Sequence, residues 1–130
     1  MKLAALVPAL VLGVALPAAA CPLPPAALQQ GGVQAAWQVA GGPIAVGRHF
    51  AVVVQVCPAD ATLARVDAAM PEHRHGMNYR PSVKRLPDGR WRAEGLMFHM
   101  PGRWDLLLEV QAAGRTEKLP RTLPVEERRR

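Results

Sequence analysis

Hydrophobic and polar positions alternate with a period of two along most of this chain, in short runs separated by Gly- and Pro-bearing breaks. From Val33 to Ala40, Val33, Ala35, Trp37 and Val39 share one face while Gln34 and Gln38 share the other. That is the pattern of a half-buried strand. Gly41-Gly42-Pro43 turns the chain, Ile44 to Val46 predicts a short extended piece, and Gly47 breaks it again. Phe50 to Cys57 is β-branched and apolar apart from Gln55, which predicts a central strand covered on both faces. Thr62 to Met70 sets Leu63, Val66 and Ala68 against Arg65 and Asp67, and Pro71 to Pro81 reads as a loop with Gly76 at its middle. Ser82 to Leu86 and Trp91 to Phe98 are strands joined by Pro87-Asp88-Gly89, where proline is placed to initiate the turn. After Pro101-Gly102, Trp104, Leu106, Leu108 and Val110 point inward with Asp105 and Glu109 outward. Ala113-Gly114 makes a further hairpin, and Arg115 to Val125 closes the series, with Pro120 and Pro124 suited to an edge strand. No helical periodicity and no internal repeat is present. The spacing predicts an all-β domain, an immunoglobulin-like antiparallel β-sandwich of about seven strands. Val39, Val52, Val54, Val66, Trp91, Trp104, Leu106 and Leu108 are its expected core.

The N-terminal segment lies outside that pattern. Lys2 precedes an apolar or small-residue run from Leu3 to Leu16, then Pro17 and the small residues Ala18-Ala19-Ala20. This is the form of a secretory signal cleaved after residue 20, and the run is too short and Ala-rich to favour spanning a bilayer. About 110 of the 130 residues then remain, enough for one domain. Residues 21–32 are expected to form an N-terminal arm, 33–126 the sandwich and 127–130 a basic tail. An exported, periplasmic setting favours a disulfide between the two cysteines, Cys21 and Cys57. The alternative is a lipid anchor on Cys21, although Ala18 stands where a lipobox prefers leucine.

Charge changes the picture little. The formal net charge is +6, or +5 without Lys2, and most of it is arginine. Export argues against nucleic acid as the target, leaving peripheral attraction to an anionic membrane or an acidic partner.

The chemistry is concentrated in two places. Met70-Pro71-Glu72-His73-Arg74-His75-Gly76-Met77 and Met97-Phe98-His99-Met100 hold every methionine after Met1 and three of the four histidines. Thioether and imidazole donors favour soft Cu(I), whereas Mg and Ca prefer oxygen ligands. His73, His75, Met77 and His99, with Met70, Met97 and Met100 nearby, are therefore the candidate metal ligands, and Cu(I) the expected ion. The bland alternative keeps methionine as a core filler and histidine as a structural cap. Enzymatic readings fare worse: His73-x-His75 lacks a following Asp, catalytic zinc needs three protein ligands with an open water position, and Ser82 lies in no nucleophile elbow. No enzyme is expected.

The stretch from Ala69 to Met77, followed by Gly95 to Asp105, resembles the YtkA-like family of exported or membrane-anchored immunoglobulin-like domains. Those domains carry an M-P-x-H-x-H-G-M-type loop and an F-x-M-P-G-x-W/Y corner. The resemblance runs from about Gly47 to Val110 and implies a β-sandwich linked to copper handling or oxidase assembly. It also implies a copper-donating or copper-accepting periplasmic or membrane protein as partner. Periplasmic Cu(I) chaperones use an H-x-M pair on a similar sandwich, whereas here His99 and Met100 are adjacent. The competing functional class is a metal-free protein-interaction module presenting Arg74, Tyr79 and Arg80.

Overall fold

The computed structural model describes residues 21–127 together with the isolated Gly13. Apart from Gly13, the expected signal segment lies outside the described residues, as do the last three residues of the basic tail. Among the described residues nine strands form two antiparallel sheets. They are β1 (Leu28–Gln30), β2 (Val33–Ala40), β3 (His49–Cys57), β4 (Thr62–Met70), β5 (His75–Gly76), β6 (Ser82–Arg85), β7 (Trp91–Met97), β8 (Gly102–Ala112) and β9 (Arg115–Val125).

One sheet runs β1-β2-β3-β7-β6 and the other β5-β4-β8-β9. If the seven longer strands β2, β3, β4, β6, β7, β8 and β9 are lettered A to G, the sheets become ABED and CFG. This is the constant-type immunoglobulin order. The short β1 and β5 extend the sheet edges. A sandwich is the expected outcome of strands with one apolar face each, since the two faces can be buried only against one another.

The core lies between the sheets. Val33, Ala35, Val52, Val54 and Leu96 of the first sheet meet Leu63, Val66, Trp104, Leu106, Leu108 and Leu119 of the second, all buried. A register shift at Leu63/Arg65 lets Leu63 and Val66 both face inward although three positions separate them; this is what a β-bulge does.

Three expectations are corrected. Val39 and Trp91 are half-buried, because their strand positions lie toward the open margins of the sandwich. β3 is not covered on both faces: Val52, Val54 and Val56 are buried while Val53 and Gln55 are partly open, as a two-layer sandwich requires. Ile44 to Val46 forms no strand but packs its side chains on the core. Within the N-terminal arm, Leu28–Gln30 pairs with β2 in register Leu28↔Ala35.

The arm is also tied covalently. Cys21 and Cys57 form a disulfide with Cα atoms 5.8 Å apart, which takes up the Cys21 sulfur that a lipid anchor would need. Among the described residues no helix is long and apolar enough to cross a membrane.

Candidate metal centre

The two chemistry-bearing segments meet at one end of the sandwich. At the end of β4, Pro71 opens a 3-10 turn over Pro71–His73, where its fixed φ suits a first helical position. Arg74 then takes a left-handed conformation (φ 52°), donating its N–H to the Pro71 carbonyl. That reversal brings His75–Gly76 back against β4, with Met70 opposite His75 and Ala69 opposite Gly76. The Met77 N–H continues the ladder to the Ala68 carbonyl at 3.0 Å. The segment expected to be a loop is thus a tight hairpin, and Met70 and His75 share a face as directly opposed residues do.

The second segment is the crossing from β7 to β8, which carries the chain from one sheet to the other. Phe98 is buried and stacked on Trp104, ring centres 4.6 Å apart and planes 19° apart. The Phe98 carbonyl accepts the Gly47 N–H at 2.9 Å. The indole N–H of Trp104 donates to the Met100 carbonyl at 3.1 Å, closing the corner that carries His99. Glu72 and Arg103 form an exposed ion pair at 2.9 Å that links the hairpin to the start of β8.

Three imidazoles gather here. His75 lies 5.6 Å from His73 and 5.3 Å from His99, centre to centre, with planes tilted 34° and 37°. His75 and His99 both approach Trp104 edge-on, at 6.1 and 5.4 Å. His73 and His99 are exposed and His75 is half-buried. The His75 Nε2 atom is itself buried and has no hydrogen-bond partner among the described residues. An unpartnered buried polar atom is costly, so this nitrogen is the observation that most needs a chemical reason.

Two imidazoles that share one ion bring their ring centres to roughly 5 Å, given metal–nitrogen bonds of about 2 Å. The observed spacings lie just above that figure. The rings form a row and do not converge on one point: no three His, Cys, Asp or Glu side chains among the described residues surround a common ion position. His73 and His99 are exposed, so core packing does not fix their rotamers.

The methionines divide. Met70 is buried in the core beneath His75, with its methyl group against Gly102. Met100 is half-buried against the core. Met77 is half-buried against the core, and its Sδ accepts the Met97 N–H at 3.4 Å. Met97 is half-buried at the end of β7, opposite His49 in register. β7 ends at Met97, so Met97 and His99 share no strand face.

Sequence reasoning placed Trp104 in the core and missed its second role as the wall on which the histidines stand. His49 was also missed; its strand-opening position beside an apolar run was the only signal. The carboxylates of Asp88 and Glu94 are held below the usual range, the first mainly by the Arg90 N–H and the second by the Arg92 side chain, and neither belongs to this group. No family model matches the chain, and no curated protein or solved structure matches it either.

Proposed function

We propose that this chain is an exported copper-binding protein that carries Cu(I) as cargo at the seam where the β4–β5 hairpin meets the β7–β8 crossing. The observation that carries the reading is the row His73–His75–His99 against Trp104, with the buried Nε2 of His75 lacking any partner. A metal would give that lone pair its missing acceptor, and Met70, opposite His75, supplies a thioether on the same face. Imidazole and thioether are ligands that suit copper. Exposed His73 and His99 leave the ion reachable, which exchange with a donor or acceptor protein requires.

Export is supported by the disulfide, since such bonds persist in oxidising compartments, and by the leader-like N-terminus. The resemblance to the YtkA-like family points the same way. The basic charge suits an acidic partner or an anionic membrane surface. One observation favours the metal-free interaction module: among the described residues Tyr79 is the exposed large hydrophobic residue, 41 % open, and stands next to Arg80.

Competition titration against a Cu(I) chelator tests the reading. Replacing His75 and His99 together by alanine is expected to weaken Cu(I) binding at least tenfold, with the far-UV spectrum unchanged. Equal affinity in the variant and the parent removes the imidazole row from the site and leaves the interaction module standing.

A further inference from the structure

The fourth histidine is not part of the imidazole row. His49 opens β3 and stands opposite Met97, while the next pair in register is Phe50 opposite Leu96. Leu96 is fully buried and Phe50 packs on the core. Successive side chains of a strand point to opposite faces, so His49 and Met97 project together from the outer face of the first sheet. Directly opposed residues in an antiparallel pair have Cβ atoms about 4.5–5.5 Å apart, close enough for an imidazole and a thioether to bind one ion.

A third soft donor arrives from the hairpin. β6 pairs with β7 only as far as Ser82 opposite Glu94, so β7 loses its neighbour before Met97. Met77 fills that place, its thioether sulfur accepting the Met97 N–H. Sulfur has two lone pairs and the N–H occupies one of them. Tyr79, two residues on, meets the His49 ring edge-on at 5.0 Å with planes at 79°, which restrains the imidazole over this patch. His49, Tyr79, Met77 and Met97 are all at least partly open to solvent.

We infer that His49, Met77 and Met97 form a second Cu(I) station, distinct from the imidazole row and on the opposite side of the β7–β8 corner. Phe98, buried between the strand end and Trp104, belongs to neither group. The two stations differ in chemistry. The row is imidazole-rich with one buried thioether, and the second set is two thioethers with one imidazole. The softer set is the more selective for Cu(I) over divalent ions. It is also less sensitive to acid, because thioethers need no deprotonation to bind whereas imidazoles do. The inference deepens the copper-carrier reading and rests on it only for the identity of the ion.

The experiment is an anaerobic Cu(I) titration of the whole protein, purified from an oxidising compartment, against a chromogenic chelator. Its readouts are stoichiometry and the methyl NMR signals of the methionines. Two Cu(I) per chain are expected in the parent. The His49→Asn, Met97→Leu variant should retain one, and His75→Phe should retain one while Met77 and Met97 methyl signals still shift. One Cu(I) in the parent, unchanged by His49→Asn, Met97→Leu but lost in His75→Phe, overturns the second station and leaves the carrier reading intact. Retention in His75→Phe with loss in the other variant does the reverse: the second station stands and the imidazole row fails. Parent protein that binds no Cu(I) overturns both.

Discussion

Replacing His75 by phenylalanine should make the metal-free protein more stable and the copper-loaded protein less so. The ring stays flat and keeps its edge against Trp104, but the unpartnered Nε2 disappears. Removing an unsatisfied buried polar atom recovers about 1–3 kcal/mol. Because the His75 side chain is half-buried, the low end applies, ~1 kcal/mol. In a domain of this size such a gain raises the melting temperature by about 4–8 °C. Ligand linkage then reverses the order. An ion present at a hundred times its Kd stabilises the parent by about 2.7 kcal/mol, whereas the variant, lacking the central nitrogen of the row, gains little at that station. Differential scanning calorimetry with and without Cu(I), under reducing and oxygen-free conditions that spare the disulfide, measures all four melting points. To keep the second station silent, the background should carry Met97→Leu. A variant that melts lower than the parent without metal would show that Nε2 is satisfied in solution, and the argument from the orphaned atom would then fall.

Two further outcomes are expected. Gly102 has φ +131°, and a Cβ placed there would stand 2.6 Å from the Met70 methyl carbon; Gly102→Ala should therefore cost about 1–3 kcal/mol in denaturant unfolding, and an unchanged midpoint would refute the close approach. The disulfide closes a sequence separation of 36 residues, so the Cys21→Ser, Cys57→Ser variant should lose about 3–4 kcal/mol on the chain-entropy model, while thiol titration of the unreduced parent should find no free cysteine.

Strand limits were legible where alternation was bounded by Gly or Pro. Val33–Ala40, Thr62–Met70 and Arg115–Val125 are bounded in the sequence as they are in the fold. Elements held by pairing alone were not. Leu28–Gln30 is mostly polar and His75–Gly76 is two residues long, and both exist because a longer neighbour offers an unpaired edge. The two faces of β3 could not be told apart in Phe50 to Cys57, since valine suits an interior and a half-covered face equally. The metal-ligand types were visible as a cluster, but their division was not. That Met77 leaves the imidazole row for Met97 follows from β6 ending early, a fact of register and not of composition. Trp104 occupies an inward position that looks the same whether the residue only fills the core or also carries a site on its edge.

The position of the imidazole row has a mechanical consequence. His73 and His75 are fixed to the sheet that contains β4, whereas His99 sits on the crossing that leaves β7 for the other sheet. An ion bound by both is a reversible bolt through the joint between layers. The permanent fastening, Cys21–Cys57, lies at the far pole, because β3 runs from His49 beside this corner to Cys57 at its other end. With Cu(I) held as proposed, the protein would be pinned at one end by the disulfide and at the other by a bond that comes and goes with the ion. On that proposal, hydrogen exchange in the 71–77 and 97–102 segments should be faster in the metal-free protein than in the Cu(I)-loaded one, so that release of the ion would loosen the corner that held it.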